Sequence, residues 1–541
     1  MMRYSLTLLG IFISFLAAAQ DFTVTPTQLN FGAVTELAAD SLPVTINNNS
    51  THDLTITGYR FYTTYGSPAF SCITPFPFIA AGSSAIIYVR FQPRHNIFHN
   101  SELLIENNGR RGALRVDLNA QGRYSNNYYN ASENLEQEAL KLGLKNLTGN
   151  GYVNLIYGPA RDTMFMEIDN QLANGQGATQ NTIECVYTGR QAVGYTDRTD
   201  CQTNFSFNTE HTFPQGFFNS LEPMRSDLHH LFPTDDLANN ARGSLPFGTV
   251  SNPTWSQGGS KGNSGTFEPR DAHKGRAARA MLYFLTRYQN YQSFVTTADE
   301  SYLKSWHQQF LPNAVETARN NRIYVAQENR NPFIDYPQFV ERISSFINTA
   351  TAPVNYSLDL ENDSIIMGFL NPSNSEYYRF WIVNNGNQPV NLSNFNFSIP
   401  FSFAFTNGTG NAVTLQPGEA TNLDIQNGMI PPGQLFQADL TFTRTFGTSA
   451  QITVPVLATI SFTGTAEINS DQYKVYPNPF QESICIDGLT TAVETQLMDL
   501  SGRVLVKGVG NCMDTPELPA GTYILKSNHS SIIHHSVVIK N

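Results

Sequence analysis

Three neighbouring stretches decide how this chain is read: Glu210-His211-Thr212-Phe213-Pro214-Gln215, Asp227-Leu228-His229-His230-Leu231-Phe232-Pro233 and Asn239-Asn240-Ala241-Arg242. Within 33 positions they gather carboxylates, three imidazoles, carboxamides and a guanidinium. Such groups are costly to bring together unless they bind a cation or an anion. An oxygen donor beside an imidazole is the set that metal-assisted phosphodiester hydrolysis needs. Glu and Asn hold the metal, His activates water and Arg meets the phosphate. Taken singly, each residue has a plainer reading, as a satisfied His in a half-buried strand or an Asn in a turn. The joint pattern carries the argument.

That pattern resembles the endonuclease I family of secreted bacterial nucleases, in the His-Me finger (ββα-metal) superfamily. The family carries Glu-His-x-x-Pro, then Asp-Leu-His-Asn/His-Leu-x-Pro, then Asn-x-x-Arg, and all three occur here in that order. Phe267-Glu268-Pro269, the run from Lys274 to Phe284 with Arg287-Tyr288, and Asn331-Pro332-Phe333-Ile334-Asp335-Tyr336-Pro337 extend the match over residues 126–345. The resemblance implies His211 as general base, Glu210 and Asn239 as metal ligands, and Arg242 as the phosphate contact. A register shift of one would pass the ligand role to Asn240. Asp227 is expected to orient a His ring, His229 and His230 to pack the ββα unit, and Arg225 and Arg279 to offer further phosphate contacts. Hard oxygen ligands with retained waters suit Mg²⁺, with Ca²⁺ or Mn²⁺ as alternatives. The absence of Cys ligands and of His-x-x-x-His spacing argues against zinc.

Local readings refine this. Glu210 and His211 are adjacent, so an extended strand would send their side chains to opposite faces, and the backbone is expected to bend there. Thr234 reads as an N-cap with Asp235-Asp236 in the first turn, which puts Asn239 and Arg242 on one helix face. A longer helix is expected from Asp271 to Tyr288, with Met281, Leu285 and Tyr288 as an apolar stripe and Lys274 and Arg276 off it. An earlier helix is expected to use Leu135, Ala139 and Leu142, after a capping-box-like start at Asn130 with Glu133. The whole segment, 124–348, reads as an α+β nuclease domain.

At 541 residues the chain is too long for one core, so a multidomain protein is expected. Residues 1–19 read as a signal peptide: Arg3, an apolar run Leu8 to Leu16, and Ala17-Ala18-Ala19. Residues 20–123 alternate in short runs such as Pro43-Val44-Thr45-Ile46 and Ala85-Ile86-Ile87-Tyr88-Val89-Arg90-Phe91, the spacing of a β-sandwich. With Phe31-Gly32 and Phe91-Gln92-Pro93 they resemble Ig-like domains. The pattern returns over 349–466 as a second Ig-like sandwich, an echo and not a close repeat. Residues 467–541 read as a small β-sandwich. Val475-Tyr476-Pro477-Asn478-Pro479-Phe480, Leu497 to Leu505 and Leu518 to Leu525 resemble the type A C-terminal sorting domain of the type IX secretion system.

These readings imply export across an outer membrane by the type IX machinery, with no stable membrane span. The substrate is DNA, with RNA as the second candidate. A net charge of -11 argues against a stoichiometric nucleic-acid binder, yet a local Arg cluster and a cation would offset phosphate charge. The rival reading is a cell-surface adhesion protein with a degenerate nuclease domain. A metalloprotease would need His-Glu-x-x-His, which does not occur. Among five cysteines, Cys185 with Cys201 and Cys485 with Cys512 are the expected pairs, leaving Cys72 alone.

Overall fold

The computed structural model describes residues 22–540, apart from 52, 62–68, 108–112, 362, 371–376, 398–400, 406–410, 428–434, 447, 461–473, 488–493, 500–503, 516–517 and 530–531. The expected signal peptide lies outside the described residues. The chain divides into two compact units, 1–461 and 462–541.

The first unit begins with two sheets around one apolar core. Asp40–Asn48 and Ser84–Phe91 centre a four-stranded sheet, and Phe98–Asn107 and Leu114–Arg123 lie within a five-stranded one. Val44, Ile46, Ile87 and Val89 face Leu103, Ile105, Val116 and Leu118, all buried. Alternation of period two puts these residues inside. The same architecture recurs from Leu358 to Ile460. Counted from its own start, each module orders its strands first–third–seventh–fifth in one sheet and second–ninth–eighth–fourth–sixth in the other. In each, the second strand pairs parallel with the ninth. The sequence led us to expect only a loose echo; the topology repeats strand for strand.

The two β modules are separated in sequence by the helical segment but pack on each other. The buried Glu361 carboxylate accepts from Ala113 N at 2.8 Å and from Trp381 N at 3.1 Å. Trp381 Nε1 donates to Ala113 O at 2.9 Å, and Leu104, Val383 and Ala420 complete a small apolar cluster.

Between them lies a mixed unit of helices and short strands with the largest buried cluster. We label its elements α1 (Gln137–Gly149), α2 (Tyr157–Thr163), β1 (Phe207–His211), β2 (Leu231–Asp235), α3 (Asp236–Arg242), α4 (Asp271–Arg287) and α5 (Ala314–Gln327). α4 is buried nearly all round from Ala277 to Arg287, not along one stripe, because other helices enclose it. In α1 the buried positions are Leu140, Lys141, Leu144 and Thr148, while Leu142 is exposed. The expected stripe was therefore out of phase: α1 begins after Glu136, and residues 127–132 form a separate 3₁₀ turn capped by Asn126. Arg342 ties this unit to the first β module, donating to Asn96 Oδ1 at 2.6 Å, and Tyr124 stacks on Tyr336 at 3.6 Å.

The second unit holds a three-stranded and a four-stranded sheet. Phe480, Ile484, Leu497, Tyr523 and Val538 share its core. Cys485 and Cys512 form a disulfide between paired strands. Cys185 and Cys201 are not bonded; both are buried free thiols in the apolar cluster, as is usual for reduced cysteine.

Candidate active site

β1 and β2 form an antiparallel ribbon that pairs Phe207 with Asp235 and His211 with Leu231, and β2 runs directly into α3. The ladder continues through both Glu210 and His211. The expected bend is absent within the ladder, and the two side chains meet different partners, although Arg242, which contacts Glu210, is close enough to lower the His211 ring as well.

Glu210 is 1% exposed. Its Oε1 accepts from the Tyr187 hydroxyl at 2.7 Å and lies 3.3 Å from Arg242 Nε. Burial raises the pKa of this carboxyl, and Arg242 and Tyr187 only partly offset it. Asn239 and Arg242 lie three apart on α3, on the face that meets β1. Asn239 Nδ2 makes a long contact of 3.5 Å to Thr209 O. Arg242 donates to Thr212 O at 2.7 Å and to Gly243 O at 2.8 Å. Arg242 is thus buried, its guanidinium committed to two carbonyls and Glu210, and it supports Glu210 instead of facing out to a phosphate. Asn240 is exposed. Asp235, not Thr234, caps α3, accepting from Ala238 N at 2.8 Å. Thr234 is already part of the β ladder.

Glu210 and Asn239 are the residues here that could hold a hard cation. With Nδ2 turned to Thr209 O, the carboxamide oxygen of Asn239 remains the donor atom. Glu210 supplies a buried carboxylate whose raised pKa a cation would relieve. One carboxylate and one carboxamide suit an ion that keeps several waters, as Mg²⁺ does.

His211, the last residue of β1, has Nε2 3.1 Å from Arg225 O. A carbonyl only accepts, so Nε2 carries the hydrogen and Nδ1 of the neutral ring keeps its lone pair. Burial, reinforced by His230 and Arg225, brings the ring down to about 3. His230 and His229 use the same tautomer: their Nε2 atoms donate to Met224 O at 2.6 Å and Asn329 O at 3.2 Å. Both rings are buried and pack on Phe284 and Tyr283 of α4.

Asp227 orients no ring through a nitrogen. It accepts from Tyr283 and Tyr288 hydroxyls at 2.8 and 2.9 Å, from Gln327 Nε2 at 2.8 Å, and faces Arg287 at 3.2 Å. Burial opposes its ionisation, but Arg287 and these donors bring it down to about 2. It ties the loop before β2 to α4 and α5. Arg279 is fully committed elsewhere, donating to both Glu316 oxygens at 2.7 and 2.6 Å and to Phe310 O at 2.8 Å. Arg225, by contrast, is half-buried and stacks 4.0 Å over the Tyr157 ring.

Sequence reasoning missed Tyr187, which holds Glu210, and Tyr157, whose ring lies 5.5 Å from that of His211. Neither sits in a dense polar motif, so no local signal marks it.

Residues 136–338 match the family model described as Endonuclease I, and residues 474–540 match that of the secretion system C-terminal sorting domain. An extracellular ribonuclease of Bacillus amyloliquefaciens is 28% identical over 236 residues, covering 40% of this chain and 77% of that protein. An extracellular ribonuclease of Bacillus subtilis (strain 168) is 30% identical over 154 residues, covering 25% of this chain and 54% of that protein, about half its length. Among solved structures, the CupB2 chaperone of Pseudomonas aeruginosa aligns at 12% identity over 34% of this chain and all of its own, with a TM-score of 0.17, too low to carry an argument. No helix among the described residues is long and apolar enough to cross a membrane. The sorting-domain match marks a secreted or cell-surface protein. Residues 136–338 of this exported chain therefore resemble the Endonuclease I family, and residues 474–540 the secretion-system sorting domains.

Proposed function

We propose that this chain is a metal-dependent, sequence-nonspecific endonuclease of the His-Me finger type, acting on extracellular DNA and also on RNA. The observation that carries the reading is the β1–β2–α3 ribbon. It carries the Glu210 carboxylate, the neutral His211 imidazole next to it at the end of β1 and the Asn239 carboxamide on the helix that follows, with Arg242 near both Glu210 and His211. Glu210 and Asn239 would hold Mg²⁺, with Ca²⁺ or Mn²⁺ as alternatives. A bound ion there would neutralise phosphate charge and polarise water. His211 Nδ1 takes the proton from the attacking water, with Nε2 anchored on Arg225 O. Arg242 and Tyr187 position Glu210, and Arg225 meets the phosphate. The extracellular ribonuclease relatives support RNA within the substrate range. The flanking modules, over 20–123 and 349–466, are read as Ig-like spacers.

One observation favours a binding protein without activity: Glu210 Oε1 is already engaged by Tyr187 and Arg242. Incubating the purified full chain with plasmid and with unstructured RNA, in Mg²⁺ and in EDTA, decides between the two. The nuclease reading expects both polymers reduced to short fragments in Mg²⁺ and left whole in EDTA. Intact polymers in Mg²⁺, Ca²⁺ and Mn²⁺ alike would favour the binding protein. Cutting in EDTA would remove the metal, and cutting at one short sequence would contradict nonspecificity.

A further inference from the structure

The face of β1 that carries His211 opens onto a feature that the proposed chemistry leaves unused. Tyr157, at the start of α2, has two guanidiniums on its ring: Arg161 at 4.2 Å and Arg225 at 4.0 Å. All three side chains are half-buried, so solvent reaches them. The nearest carboxylate on α2, Asp162, is paired with Arg198 at 2.6 Å. Among the described residues neither Arg161 nor Arg225 has a carboxylate partner within ion-pair distance, and the Nε of each is buried without a hydrogen-bond partner. Burial lowers the pKa of Arg161, and the neighbouring Arg198 and Arg225 add to this. Two like charges on one ring, with N–H groups unspent, make a place for an anion. The Tyr157 and His211 rings are 5.5 Å apart, so that anion would sit beside the group proposed to activate water.

Resting on the nuclease reading above, we propose that Arg161, braced against Tyr157, binds a second backbone phosphate of the substrate, adjacent to the scissile phosphate met by Arg225. The substrate is then gripped at two successive phosphates. Such contacts carry no base information, which fits a nuclease that reads backbone alone.

The test pairs a protein change with a substrate change. Cleavage by the full-length protein is measured on short oligonucleotides with one cut position, each carrying a neutral methylphosphonate at one phosphate near the cut. For the unaltered protein, neutralising one phosphate adjacent to the cut should lower kcat/KM about tenfold or more, the scale of a hydrogen bond to a charged group. Arg161→Gln should lose a similar factor on the unmodified strand. The two losses should not multiply at that one position, and should multiply at all others. Losses that multiply everywhere, or an Arg161→Gln enzyme as active as the original, would overturn the proposal while leaving the nuclease reading intact. Failure of the unaltered protein to cut any oligonucleotide would sink the nuclease reading itself, and the proposal with it. Should Arg161→Gln not fold, Arg161→Lys keeps a charge on a similar stem but loses the planar fork. It then carries the same comparison, with a partial loss at the same single position expected.

Discussion

His211 shows how much a single hydrogen bond settles. Its contact with the Arg225 carbonyl selects one tautomer, and burial keeps the ring neutral, so a lone pair stands ready at Nδ1. If that lone pair is the base, His211→Ala should lower turnover by roughly 10²–10⁴-fold. Mg²⁺ affinity, measured by calorimetry on the full chain, should persist. Glu210→Ala and Asn239→Ala should weaken Mg²⁺ affinity as well, and excess Mg²⁺ should partly restore their activity. Full rescue of His211→Ala by Mg²⁺ would show that the base lies elsewhere. The same comparison at Asn240 tests the register of α3. Asn240 is exposed and Asn239 touches β1, so Asn240→Ala should leave Mg²⁺ affinity unchanged.

At the scale of elements, α4 is the post around which the site is built. It buries Tyr283, which meets Asp227, and Phe284, which packs on His230. Its approach to the chain after Gln309 depends on Gly275: a Cβ there would collide with the carbonyl of Phe310. Gly275→Ala gains helix propensity, about 1 kcal/mol when nothing opposes it. The collision outweighs this, because overpacking against backbone costs about 1–3 kcal/mol. A lower thermal midpoint is expected for Gly275→Ala. An unchanged or raised midpoint would mean that the helix shifts freely, contrary to its enclosure. Activity per folded molecule should fall less than stability does, since α4 reaches His211 only through other side chains.

Over the whole molecule, two sets of buried groups respond to pH in opposite senses. Burial brings His99, His229 and His307 down to about 4. The unfolded chain protonates them near about 6.5. Between about 6.5 and 4 the unfolded state therefore binds protons that the folded state does not, and stability falls as pH drops. Burial raises Glu102 and Glu361, where the two β modules meet, to about 7. Their contribution is present at low pH and lost as pH rises through about 7. Amide exchange resolved by segment should show the helical unit less protected at pH 5 than at pH 7. The contact around Ala113 and Trp381 should be less protected at pH 8.5 than at pH 6. The same trend in both places would contradict one of the two assignments. The last unit has its own core and disulfide, and by its family match it is an export signal. Deleting residues 474–540 should leave the protein within the producing cell, with nuclease activity in the lysate; unchanged secretion would overturn that reading.

Much of the local geometry of the candidate site could be read from the chain itself, because its parts lie close in sequence. Glu210-His211 and Asn239-x-x-Arg242 sit on one ribbon and the helix that follows it, so motif order and helical spacing are enough to bring them together. The β alternation of residues 20–123 and 349–466 was legible for the same local reason. What the tertiary structure decided concerns groups far apart. Arg242 is turned inward because Thr212 O and Glu210 await it there. Arg279 is spent on Glu316, 37 positions on. Tyr157 reaches His211 from 54 positions upstream, and Glu361 reaches Ala113 across 248. Cys185 and Cys201 are both buried in the apolar cluster as free thiols, which their spacing in the chain did not reveal. Hydrophobic periodicity reports only that a residue is buried; its partner depends on which surfaces the collapsed chain brings face to face.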